Sequence, residues 1–73
     1  MTSLKKRMRD LREDHDLSQA DVAAYLKVSK PRISEWENGK YQPSIDTVIS
    51  LANLYNVSTD YLLGLSDDPA RRT

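Results

Sequence analysis

Few residues of this 73-residue chain are equipped for covalent or metal chemistry. There is no cysteine, and the single histidine, His15, stands between Asp14 and Asp16. Adjacent positions on a helix end do not converge on one site, so a helix C-terminal histidine favoured by the dipole is the simpler reading. Gly39 and Gly64 are the only glycines; they form no phosphate-cradling loop and read as helix stops. No metal site, cofactor site or enzymatic activity is expected. What remains is hydrogen-bonding chemistry, concentrated in residues 30–38, KPRISEWEN. At 100° per residue, Ile33 and Trp36 fall on one side of a helix, with Glu37 at its margin. Pro31, Ser34, Glu35 and Asn38 fall opposite, Arg32 lies on a flank, and Lys30 stands at the N-terminal end. Such a face is either plain solvated surface or a reader of base edges. Reading calls for Lys, Arg, Glu, Ser and Asn in the N-terminal half of a helix lying in a major groove.

Trp36 points inward and is expected to anchor a small core, because tryptophan buries a very large area. Glu37 is then charged and next to that core, where an unpaired carboxylate is costly. Arg12, one residue after the apolar Leu11, is its expected partner, tying the first helix to the third through a partly buried ion pair.

The elements that must position these residues are signalled by repeated punctuation. Leu17-Ser18 precedes Val22, Val28-Ser29 precedes Ile33, and Val57-Ser58 precedes Leu62, each the pattern of a hydrophobic staple around an N-cap serine. Pro43-Ser44 with Val48 is similar, Ser3 is a weaker fifth start, and Asp21 stands where a capping-box acid would. Between these starts the apolar spacing is helical: Leu4, Met8 and Leu11; Val22, Ala23 and Leu26; Val48, Leu51, Ala52 and Tyr55. The expected helices cover about 3–14, 18–26, 30–38, 44–55 and 58–63. An all-α, compact five-helix bundle follows, with a core of Leu11, Val22, Ala23, Leu26, Ile33, Trp36, Val48, Leu51 and Leu62. Only Lys27, Val28 and Ser29 separate the second helix from the third, so that pair forms a helix-turn-helix. Residues 1–66 form the single domain; 67–73 lack an apolar anchor and are expected to be a flexible tail.

Composition narrows the setting. A chain this short buries only about 60% of its unfolded surface. The absence of cysteine excludes a disulfide scaffold and a cysteine-ligated zinc finger, and fits a reducing, cytoplasmic location. No apolar run approaches the roughly 18 residues of a membrane span, and MTSLKKRM has no signal-peptide apolar stretch. The formal charge is zero, with 11 cations and 11 anions, so the overall field says nothing about a polyanionic partner. Lys5, Lys6, Arg7, Arg9 and Arg12 nonetheless crowd the first twelve residues, and Lys27, Lys30, Arg32 and Lys40 the middle. A charge run of this kind is ordinarily a solvated face.

The stretches LSQADVAAYL, VSKPRISEWENGKYQPS and LANLYNVSTDYLLG, in this order and spacing, resemble the phage lambda repressor and Cro-like helix-turn-helix DNA-binding domains. The resemblance runs from about Leu4 to Ser66. It implies a bundle of four or five helices in which the third is the recognition helix, about 30–38. Ala23 matches the small residue where the second and third helices cross, and Ile33 and Trp36 match core positions. Gln19 matches a position that clamps the phosphate backbone, helped by the N–H groups of its helix N-terminus. Asn38, Lys40 and Tyr41 match a second phosphate clamp, and Arg12 with Glu37 is similar to a pair in phage repressors.

The family's base-reading positions correspond here to Lys30, Pro31, Arg32, Ser34 and Glu35. Lys30 would donate to guanine N7 and O6, Glu35 would accept from cytosine N4, and Pro31 would touch a thymine methyl. The implied function is sequence-specific binding of double-stranded DNA by a repressor-type transcriptional regulator, acting as a homodimer on a two-fold-symmetric operator. Tyr55, Tyr61, Leu63 and Leu65 are the candidate dimer contacts; no small-molecule site is evident. The competing reading is a protein-interaction module that kept the fold without DNA, favoured by zero net charge and by Asp21 and Glu35 near the reader. Two departures from the family stand out. Lys27 occupies the tight turn where glycine is usual, at a steric cost of roughly 1–2 kcal/mol if left-handed. Pro31 in the first turn is tolerated but presses Lys30 away from helical geometry.

Overall fold

The computed structural model describes residues 3–70. Five helices follow one another: α1 (Leu4–Asp14), α2 (Gln19–Leu26), α3 (Lys30–Glu37), α4 (Ile45–Tyr55) and α5 (Thr59–Leu62). Each begins on a serine. Ser3, Ser18, Ser29, Ser44 and Ser58 all have extended backbone, and each hydroxyl accepts from the N–H three residues on. Because an N-cap lies outside the helical dihedral region, four helices start one residue later than the spans expected from their serines, while α3 starts at Lys30 as expected. At Ser18 the box is complete: the Asp21 N–H donates to Ser18 Oγ at 3.0 Å, and the Ser18 N–H donates to Asp21 Oδ2 at 2.8 Å. The Ser18 N–H bond to the carboxylate, and after it the Ser18 hydroxyl, lower the Asp21 pKa.

Each helix also stops in one way. Asp16, Lys27, Gly39, Asn56 and Gly64 all have positive φ, between 54° and 81°. The residue after each donates its N–H to the carbonyl five residues back: Leu17 to Arg12, Val28 to Ala23, Lys40 to Glu35, Val57 to Ala52 and Leu65 to Asp60. This is the Schellman stop, which satisfies otherwise orphaned carbonyls. Leu17, Val28 and Val57 close one helix and, one residue before a capping serine, open the next. Connections of three or four residues therefore suffice. Lys27 sits at φ 60°, ψ 42°, so the turn keeps the left-handed shape without its usual glycine.

Pro31 does not displace Lys30, which is the first residue of α3. The first-turn N–H groups have no intrahelical partner, so proline removes nothing there, and the Ser29 cap holds the turn.

Met8, Leu11, Val22, Ala23, Ile33, Trp36, Val48, Leu51, Ala52, Tyr55, Val57 and Leu62 form the core. Two expectations shift. Leu26 is only partly buried, packed against the core from its rim. Tyr55, expected among the dimer contacts, is 4% exposed; it falls i+7 from Val48 on the inner stripe of α4 and has no free surface to offer a second chain.

Of the expected tail, residues 71–73 lie outside the described residues. Within them the Ser58 N–H donates to the Pro69 carbonyl at 3.2 Å, and Arg7 Nη2 donates to Asp67 Oδ1 at 2.9 Å. Among the described residues no helix is long and apolar enough to cross a membrane.

Candidate nucleic-acid interface

α3 packs Ile33 and Trp36 against the core, which leaves its other side outward. Lys30, Pro31 and Arg32 are exposed in its first turn, and Ser34 and Glu35 are half-buried along its flank. Two contacts arrange this face. Arg32 Nε lies 3.7 Å from Glu35 Oε1, an ion pair one helical turn long. Asn38 Nδ2 donates to Ser34 Oγ at 3.2 Å, which links the middle of the helix to its C-cap. The carboxylate of the outward face is thus held beside a guanidinium rather than projecting alone.

Glu37 organises the end of α3. Its side chain is 4% exposed. Arg12 Nε donates to Glu37 Oε2 at 2.7 Å and Arg12 Nη2 to Oε1 at 3.0 Å, a bidentate fork. Arg12 Nη1 spends its remaining reach on the Leu17 carbonyl at 3.0 Å, fixing the α1–α2 connection as well. The hydrogen bond with Glu37 raises the Arg12 pKa, against a partial opposing effect of burial. A third donor, Gln19 Nε2, reaches Glu37 Oε1 at 3.2 Å. Gln19 at the start of α2 is thereby brought to the end of α3, next to Asn38. Of the expected phosphate clamps only Gln19 touches this carboxylate, since the Asn38 amide is bonded to Ser34; Arg12 neutralises the Glu37 charge, so an incoming anion would not be repelled there.

Beyond the Gly39 stop, Lys40 and Tyr41 are exposed, with Lys40 Nζ 5.6 Å from the Tyr41 ring centroid. His15 caps α1: its Nδ1 lies 2.8 Å from the Leu11 carbonyl, and its ring packs at 5.0 Å and a tilt of 52° against Tyr55.

Residues 8–62 match the helix-turn-helix family. The chain belongs to that family. Among helix-turn-helix proteins it is 39% identical over 64 residues to the uncharacterized HTH-type transcriptional regulator YobD of Bacillus subtilis (strain 168), covering 88% of this chain and 57% of that protein. It is 42% identical over 62 residues to the HTH-type transcriptional regulator ImmR of the same organism, covering 85% and 49%. The chain thus spans about half the length of these two relatives. Its fold superposes on the P22 c2 repressor, solved in complex with a synthetic operator, with a TM-score of 0.79 at 28% identity, covering 86% of this chain and 96% of that one.

The family fold puts the second and third helices of this chain, α2 and α3, in the helix-turn-helix. One structural residue escaped sequence reasoning. Arg7 is buried, with its guanidinium carbon 3.8 Å from the Tyr61 ring centroid, and it holds α5 and the tail to α1. The signal was present, since Arg7 falls between Leu4 and Leu11 on the apolar stripe of α1, but the surrounding cations masked it.

Proposed function

We propose that this chain binds double-stranded DNA sequence-specifically and acts as a repressor-type transcriptional regulator, with α3 entering the major groove. One observation supports the reading most: Gln19 reaches the charge-neutralised end of α3, which Asn38 caps, while the first turn of α3 stays polar and open. In this reading Lys30, Pro31, Arg32, Ser34 and Glu35 meet base edges, and Gln19, Asn38, Lys40 and Tyr41 hold phosphates. The Arg32–Glu35 pair keeps Glu35 oriented for a cytosine N4 donor and leaves Arg32 on the flank. The P22 c2 repressor, whose fold this chain shares, was solved on an operator, and that supports the assignment.

Residues 1–66 carry this activity, in the cytoplasm, as a homodimer on a two-fold-symmetric site. Leu63 and Leu65 are exposed and Tyr61 is half-buried. Leu63 also lines an apolar groove with Ile45 and Ile49, both exposed, which adds self-complementary surface on the same side.

Selection from a random duplex library at low salt tests the proposal. Recovery of a symmetric site with half-sites about 10 base pairs apart is the expected result. Retention without enrichment would leave nonspecific phosphate binding, and no retention would favour the protein-interaction reading.

A further inference from the structure

α1 carries cations at positions 5, 6, 7, 9 and 12, and three of them are committed. Lys6 pairs with Asp10, Arg7 with Asp67 and Arg12 with Glu37. Lys5 and Arg9 have no ion-pair or hydrogen-bond partner among the described residues, and both are exposed. With Arg12 they recur at i, i+4 and i+7, one face of the helix. Arg12 fixes where that face points, because its fork sits on Glu37, beside Gln19 and Asn38.

Two further observations bring the pair to the same place. Lys5 lies across Gly39: a methyl group added at Gly39 would come within 2.9 Å of Lys5 Cδ and 3.4 Å of its Nζ. The ammonium therefore rests against the loop that joins Asn38 to Lys40. A surface groove of about 360 Å³ between α1 and the end of α3 is lined by Lys5, Lys6, Arg9, Asp10, Glu37 and Asn38. Both carboxylates in it are neutralised, Asp10 by Lys6 and Glu37 by Arg12, which leaves Lys5 and Arg9 as its uncompensated charge.

We propose that Lys5 and Arg9 contact the DNA phosphate backbone, extending the clamp of Gln19 and Asn38 from α2 and α3 onto α1. The inference rests on the DNA-binding reading above. It also gives a chain with no net charge a local hold on a polyanion: the acids lining this groove are spent in internal pairs, and its unpaired cations face outward. Neither residue reaches base edges, so both supply affinity without sequence preference.

The test is the salt dependence of binding to the selected duplex, read by fluorescence anisotropy between 50 and 200 mM salt. Wild type is compared with Lys5→Gln, Arg9→Gln, the double variant of these two, and the paired control Lys6→Gln with Asp10→Asn, which leaves the charge of the groove unchanged. Each lost phosphate contact removes about 0.9 from the slope of log affinity on log salt, so the double variant flattens it by about 1.8. Over this range its affinity then falls about tenfold less than that of wild type. The double variant's loss is equal on cognate and scrambled duplexes, its thermal melt is unchanged, and the paired Lys6→Gln, Asp10→Asn control alters the slope less than either single variant. A double variant with the wild-type slope, or one weakened only on the cognate site, overturns this inference and leaves the DNA reading standing. A wild-type chain that binds no duplex overturns both.

Discussion

Arg12 and Arg7 stand on one helix, five residues apart, and each is withdrawn from water in a different way. Arg12 is 14% exposed and grips a carboxylate that is itself 4% exposed, with three of its nitrogens engaged. Arg7 is 8% exposed, yet its carboxylate partner, Asp67, is 96% exposed and bonds through one nitrogen. The Nε of Arg7 is buried with no hydrogen-bond partner, and the Tyr61 ring covers its face. The first arrangement is a structural cross-link, in which both desolvated charges satisfy each other. The second is a stacked cation, held by the quadrupole of an aromatic ring and only trimmed by an ion pair. A buried guanidinium thus needs cover, and a buried carboxylate is only one form of it.

Substitutions that separate the two arrangements should differ widely in cost. The largest effect is expected from Glu37→Gln, which leaves Arg12 and Gln19 facing a neutral group. A loss of about 3 kcal/mol in chemical denaturation is expected, the low end for a buried pair because Arg12 reaches the rim. A loss below about 1 kcal/mol would place this pair with surface pairs and erase the contrast.

Tyr55 gives the next effect, because it lies beside the Arg12 pair. Burial chiefly, and the Glu37 charge next, push its pKa up to about 12, while Arg12 opposes them. The unfolded tyrosine ionises near pH 10, so between about 10 and 12 the native state keeps a proton that the unfolded chain has lost. This contribution is intact below pH 10 and is lost as pH rises, by about 1.4 kcal/mol per unit. Urea unfolding at pH 9 to 11.5 should show that fall relative to Tyr55→Phe. In the Glu37→Gln background the window should narrow, since one cause of the shift is gone.

Lys27→Gly touches neither pair and serves as an independent scale. Relief of the left-handed lysine is expected to add about 1 kcal/mol or less, after the entropy of the glycine is counted. The gain should be the same in the presence of either broken pair; a lower melting temperature would mean that the lysine side chain contributes more than its backbone strain costs. The smallest effect is expected from Asp67→Asn, below about 1 kcal/mol and fading with salt, because that carboxylate is solvated. If it cost as much as Glu37→Gln, the tail would be a true lid over Arg7 and the two arrangements would be equivalent.

The site was legible to the extent that its cues are local or forced. Glu37 was flagged because it adjoins Trp36, and a carboxylate beside a core residue demands a partner that Arg12 could reach. Arg7 carried no such demand on its face, since it stood in a run of cations and its partner lies 60 residues away, in a stretch with no apolar marker. The contact of Gln19 with Glu37 was not legible either; it depends on how the start of α2 docks on the end of α3. Tyr55, on the apolar stripe of α4, also counted among the candidate dimer contacts, because aromatic excess near a chain end looks the same whether it closes a core or covers a partner.

What the sequence by itself determined were the helices and their limits. Five serines that accept from the third N–H onward, and five left-handed stops closed by bonds five residues long, act within one or two turns and need nothing distant. Only the tertiary structure decided which guanidinium met which acid, and which apolar side chains, such as Ile45, Ile49 and Leu65, stayed outside. Those outcomes follow from the angles at which helices pack, and packing angles are set by all the buried side chains at once rather than by any short stretch of chain.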